Sequence, residues 1–168
     1  MELMWAPWRM EYIKKAGQKR GCIFCSQPKI RNRKRTLILA QWPLCYVIMN
    51  KYPYISGHLM VVPNRHVDQL EFLSVEEGVD VFIAVQKTIE ILKKTMNPQG
   101  LNIGVNLGRS AGAGIVHHLH YHVVPRWNGD TNFMPVIGGS KIISESLRET
   151  YEKLFPHFQK IEWLRQGN

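Results

Sequence analysis

The run His117-His118-Leu119-His120-Tyr121-His122-Val123-Val124-Pro125-Arg126 decides how this chain is read. In a strand successive side chains point to opposite faces, so His118, His120 and His122 share one side at steps of about 6.6 Å. Leu119, Tyr121 and Val123 then face the core. A helix would turn the middle imidazole away from the other two, so the strand reading is what makes the trio a site. Burying three imidazoles is costly, and apolar residues would fill the same space without needing partners. Spacing alone leaves two chemistries level. A neutral imidazole can attack an electrophile while its second nitrogen is held by a backbone carbonyl. Neutral imidazoles also ligate metals, although no carboxylate stands in this strand to complete a metallohydrolase.

The loop just upstream, Asn106-Leu107-Gly108-Arg109-Ser110-Ala111-Gly112-Ala113-Gly114, tilts the balance toward phosphoryl chemistry. Glycines let backbone amides approach an anion, and successive amides form an anion-cradling nest. Asn106, Arg109 and Ser110 add side-chain donors. Farther upstream, Cys22-Ile23-Phe24-Cys25 supplies half of a tetrahedral zinc set, with His58, His66, His117, His118 and His157 as possible completions. The alternative, a redox pair, lacks a βαβ setting. Cys45 sits in an apolar run and reads as a small core residue. Asn50 ends a strongly apolar strand and reads from propensity as a turn residue. Trp127 follows the histidine strand, placed to stack on a base.

A chain of 168 residues, 45% hydrophobic, accommodates one domain with a real core. No stretch approaches the roughly 18 apolar residues of a membrane span. The start carries no basic segment followed by an apolar run, so a cytoplasmic protein is expected. The net charge of +9 concentrates between Lys14 and Arg35. Such a run favours anionic partners, or is simply a solvated loop.

Residues 1–36 read as an irregular aromatic and basic arm belonging to the same domain as the body, 37–168. Strands are expected at Leu37-Ile38-Leu39, Cys45 to Met49, His58 to Val62 and Leu101 to Asn106. Ser74-Val75-Glu76-Glu77 is a capping box that opens a long helix with apolar Val81, Val85, Ile89 and Leu92. Asn97-Pro98 closes it. A second helix, about Ser144 to Phe155, precedes an amphipathic tail through Trp163. Strands and helices segregate without strict βαβ alternation, which predicts an α+β fold with a largely antiparallel sheet.

His118-Leu-His120-Tyr-His122-Val-Val resembles the His-φ-His-φ-His-φ-φ pattern of the histidine triad (HIT) superfamily of nucleotide hydrolases and transferases. Asn50, Ser56-Gly57-His58-Leu59-Met60-Val61, Pro63-Asn64-Arg65-His66, the Asn106–Gly114 loop and Cys22-x-x-Cys25 match in the same order. Trp5-Ala6-Pro7-Trp8 and Pro125 to Val136 further resemble the bacterial diadenosine tetraphosphate (Ap4A) phosphorylase-like branch. The resemblance implies a HIT-like fold: a five-stranded antiparallel sheet, one long helix and a C-terminal helix, typically paired into a homodimer, with a tetramer also open. It implies His120 as the nucleophile that carries a transient AMP, with His118 and His122 completing the catalytic trio and His122 on the α-phosphate. Asn50 resembles the ribose-binding asparagine, and Asn106, Gly112 and Gly114, with Ala113 between them, the phosphate loop. In zinc-bearing members the metal ligands correspond to Cys22, Cys25, His66 and His118. His117 is the alternative within the doublet, disfavoured because it points away from His120. Where many members carry Ala-Gly-Gln-Ser, this chain has Ala111-Gly112-Ala113-Gly114. The implied substrate is an adenine nucleotide or dinucleoside polyphosphate, with adenosine phosphoramidates as an alternative. A zinc-stabilised nucleotide- or nucleic-acid-binding module is the reading from another class; nucleic acid and membrane are not the expected partners.

Overall fold

The computed structural model describes residues 21–130 and 145–161. Expectations on residues 5–13, on 131–144 and on the tail through Trp163 lie outside the described residues. In chain order the elements are α1 (Ile23–Ser26), a 3-10 turn (Gln27–Lys29), α2 (Arg33–Thr36), β1 (Ile38–Gln41), β2 (Cys45–Met49), β3 (Leu59–Pro63), a second 3-10 turn (Leu70–Phe72), α3 (Val75–Met96), β4 (Gly100–Val105), β5 (Tyr121–Arg126) and α4 (Leu147–Phe158). The strands form one five-stranded antiparallel sheet in the order β1-β2-β3-β5-β4. The fold is α+β.

Why the central strands are apolar on both faces follows from what covers them. Cys45, Val47 and Met49 of β2 and Leu59 and Val61 of β3 pack with Val123 under α3 and α4. The alternate residues Tyr46, Ile48, Met60 and Val62 pack on the other face with Phe24 of α1. Period-two alternation thus serves two apolar layers, each aliphatic side chain contributing about 1.5–3 kcal/mol on burial. Residues 21–36 are therefore not an irregular arm. They form short helical turns, held down by the Tyr46 hydroxyl donating to the Phe24 carbonyl at 2.8 Å.

α3 starts where its capping box predicts, Ser74 Oγ accepting from the Glu77 amide and the Glu77 carboxylate accepting from the Ser74 amide. Arg65 grips the same carboxylate through Nε and Nη2, both at 2.7 Å, and holds it below the usual carboxylate range. The helix ends at Asn97, in the left-handed region. α4 begins later than expected because Ser146, not Ser144, has a glutamate three residues on to complete its capping box. It also runs past Pro156. Tyr151, Leu154 and Phe158 share a buried stripe that holds this last turn against the core.

Candidate active site

The histidine run departs from the expected strand. β5 begins at Tyr121, so only His122 lies within the sheet, opposite Met60. The neighbouring strand explains the departure. β3 ends at Pro63, whose carbonyl accepts from the His118 ring, and the Leu119 amide donates to Val67 at 2.6 Å. His118 and His120 therefore lie on a segment outside the sheet, with a bend at His118, just before β5 begins. Their burial still holds, at 1% and 5% exposure, and His120 and His122 meet edge to face with centroids 4.9 Å apart.

Each ring is fixed by a different commitment. The Nδ1–H of His120 donates to the His118 carbonyl at 2.8 Å, leaving Nε2 as the nitrogen with a lone pair. Burial pushes the His120 pKa below its ordinary 6.5, so the ring is neutral at neutral pH. His122 is set through a residue whose role sequence reasoning missed. His58, 1% exposed, accepts at Nδ1 from the Tyr54 amide at 3.1 Å, with the Asn50 side-chain amide at 3.4 Å. In neutral His58 the proton then sits on Nε2 and is donated to His122 Nδ1, 2.9 Å away. His122 is left with its own proton on Nε2, on a ring that lines a cavity shared with His120. The available signal was positional: a histidine opening the strand that pairs with the triad strand. The turn before it needs Gly57, at φ +79°, where a Cβ would come within 2.6 Å of Met96 Sδ.

The cavity, roughly 290 Å³, is lined by Asn50, Asn106, Gly112, Gly114, His120 and His122 among others. Asn50 is an Asx turn, accepting from the Tyr52 amide at 2.9 Å, and it lines the site as well. The glycine loop differs from an open amide nest. The Gly112 amide donates to Arg109 and the Ala113 amide to Gly108, so both hold the loop's own shape. Gly112, at φ +89°, takes a conformation that side chains disfavour. Ala113 does not line the cavity. Nor does Trp127, whose indole N–H is committed to the Asn97 carbonyl at the end of α3, 3.1 Å away. Residues of the arm, Ile23, Phe24 and Gln27, wall the cavity instead.

On the far side of His118 a second cluster forms. Cys22, Cys25, His66 and His118 place one donor atom each, all within 4.8 Å of one another. Cys22 Sγ lies 3.2 Å from His118 Nδ1, and Cys25 Sγ lies 3.3 Å from His66 Nδ1 and 3.5 Å from His118 Nδ1. A tetrahedral ion with sulfur at about 2.3 Å and nitrogen near 2.0 Å requires edges of about 3.3–3.8 Å, and the three contacts just given, at 3.2, 3.3 and 3.5 Å, lie near that range. His118 donates Nε2–H to Pro63, which turns Nδ1 toward the cysteines, as metal-binding imidazoles require. His117 is exposed and outside the cluster.

With this geometry in hand the comparisons are specific. A family model for the HIT domain matches residues 31–129. The chain belongs to the HIT family. A Mycobacterium tuberculosis protein named AP-4-A phosphorylase is 41% identical over 174 residues, spanning 99% of this chain and 86% of that one. Among solved structures, a hypothetical histidine triad nucleotide-binding protein from Sulfolobus tokodaii superposes with a TM-score of 0.63 at 26% identity, covering 83% of this chain and 90% of its own. A Zn-bound histidine triad family protein from Mycobacterium smegmatis shares the fold, with a TM-score of 0.66 at 23% identity over 83% of this chain and 94% of its own. This HIT protein is an enzyme of the nucleotidyl hydrolase and transferase class. Among its described residues no helix is long and apolar enough to cross a membrane.

Proposed function

We propose that the chain cleaves Ap4A-type adenosine phosphoanhydrides at the α-phosphorus through a covalent His120–AMP intermediate. One observation carries this reading: the His118 carbonyl fixes His120 Nδ1–H, so a neutral Nε2 is held beside His122 in the shared cavity. Nε2 bonds to the α-phosphorus as that phosphorus loses its bridging oxygen, and the polyphosphate leaves with the electron pair. Water then attacks the phosphoramidate, releasing AMP and a proton and restoring the ring. With inorganic phosphate as acceptor the product is ADP. His122 Nε2–H donates to a non-bridging oxygen where charge develops, a contact of the kind whose removal costs about 10²–10³ in rate. Asn50 orients the ribose, and Asn106 with the backbone around Gly112 and Gly114 contacts phosphate.

Cys22, Cys25, His66 and His118 would hold a zinc ion. Bound there it would supply a structural clip between the arm and the sheet. The outer edge of β4, with Ile103 about half exposed, supports pairing of two copies into a homodimer. The decisive experiment is a rapid acid-free quench of the enzyme with radiolabelled Ap4A, followed by mapping of the label. An acid-labile adduct on His120 is expected; its absence during active turnover sinks the mechanism. Product analysis then names the acceptor, since ADP plus ATP appears only if phosphate enters.

A further inference from the structure

The Lys and Arg side chains that line the cavity have no acidic counterpart there. Arg35 and Lys51 face it, and among the described residues no aspartate or glutamate does. Both residues are exposed, so they stand at its rim. Neither side chain enters a hydrogen bond or an ion pair among the described residues. Lys34, next to Arg35, is instead paired with Glu152, and Arg65 with Glu77.

The backbone brings the two cations to one end of the sheet. The Met49 amide donates to the Leu37 carbonyl at 3.0 Å, extending by one residue the register that sets Ile38 opposite Ile48. Two residues beyond that rung, one on each segment, stand Arg35 and Lys51. Both segments are pinned locally. The Asn32 side chain accepts from the Arg35 amide at 3.0 Å, and the Asn50 side chain from the Tyr52 amide at 2.9 Å. Leu37, between α2 and β1, holds φ +62°, a left-handed conformation that leucine disfavours. Strain of this kind persists where the surroundings enforce it, and ligand sites are where it gathers. Like charges facing each other destabilise a fold, and an anion seated between them removes the repulsion.

We propose that Arg35 and Lys51 form a second phosphate subsite, for a phosphate of the nucleotide other than the α-phosphate. The proposal rests on the nucleotide reading of the cavity. In that reading the α-phosphate has its partners at His122, Asn106 and the glycine loop, which leaves the rim pair for another group. A guanidinium grips phosphate as a two-pronged donor, and the lysine adds a compact charge. Two sources supply the same chemistry: the next phosphate of the 5′ chain, or a phosphate esterified to a ribose hydroxyl. Lys51 directly follows Asn50, the residue proposed for the ribose, so both sources enter the test.

The test is calorimetric titration of the full chain, purified without chelator, with AMP, α,β-methylene-ADP and adenosine 3′,5′-bisphosphate. None of the three offers an anhydride to cleave. At least one of the two longer ligands should bind about tenfold tighter than AMP. That gain should shrink as salt rises, because exposed charges are screened. The ligand that gains identifies the source of the phosphate. In the double variant Arg35→Gln, Lys51→Gln the gain should vanish, whereas Arg35→Lys should keep part of it. The proposal is overturned if neither longer ligand exceeds AMP on the wild type. It is equally overturned if the double variant, melting as wild type does, keeps the wild-type ratio. Binding of none of the three would refute the nucleotide cavity itself, and the subsite with it.

Discussion

His118 and His120 are the same residue type, two positions apart, both buried, yet the structure gives them opposite tautomers. A carbonyl from β3 takes the Nε2–H of His118, so its Nδ1 faces the cysteines. A carbonyl from residue 118 takes the Nδ1–H of His120, so its Nε2 is the nitrogen left with a lone pair. The difference teaches that the chemistry of each ring is chosen by the backbone around it. Burial acts alike on both, pushing each pKa below the ordinary 6.5.

The comparison is broken most severely at the proposed nucleophile. His120→Ala should lower Ap4A turnover by about 10⁴-fold or more while AMP binding, followed by calorimetry, persists. Near-native cleavage would mean that the two rings do not differ in role. The same ring predicts a pH profile. Activity needs neutral His120, whose folded pKa lies below 6.5, so kcat should hold from neutral pH down to that value and fall only beneath it. An acid limb centred above 6.5 would contradict the burial. Stability follows the same sign: the unfolded chain takes up protons near 6.5 and the folded rings only lower, so Tm declines as pH falls below 6.5.

On the other side of the comparison, atomic absorption should find about one equivalent of zinc on the wild type, and Cys25→Ser should abolish it. The substitution should also lower Tm on the order of 10 °C, because metal binding is folding free energy in a clip of this kind. Unchanged metal content would return the cluster to an ordinary set of thiols and rings. A finer probe is His58→Ala, expected to cost about 10–100-fold in kcat with little change in KM. His58→Gln should restore part of that loss, since a carboxamide can accept from Tyr54 and donate to His122. An equal loss in both variants would show that His58 only packs. Ser74→Ala stands farthest from either ring: about 1 kcal/mol of stability, a few degrees of Tm, and no change in kcat.

Much of this arrangement is legible in the sequence. Ser74 and Glu77 announced α3, the continuous apolar runs announced β2 and β3, and the imidazole trio marked the candidate site. What stayed hidden depends on contacts distant in the chain. That β5 starts only at Tyr121 follows from Pro63 ending its partner strand, 55 or more residues earlier. The relay through His58 exists because β3 lies beside β5, a pairing no local pattern reveals. Cys22-x-x-Cys25 pointed to metal, but the residues between the cysteines carry no sequence mark of the cavity they wall. The tie between the Trp127 indole N–H and the end of α3 was likewise hidden, because it joins residues 30 apart in the chain.

One consequence reaches beyond this chain. The acceptor that orients His120 is a main-chain oxygen, so every side-chain replacement at position 118 leaves it in place, and scanning mutagenesis cannot delete it. Grafting three alternating histidines onto another scaffold would therefore transplant the rings without their protonation pattern. A designer would have to reproduce the departure of the segment from its sheet, not the motif.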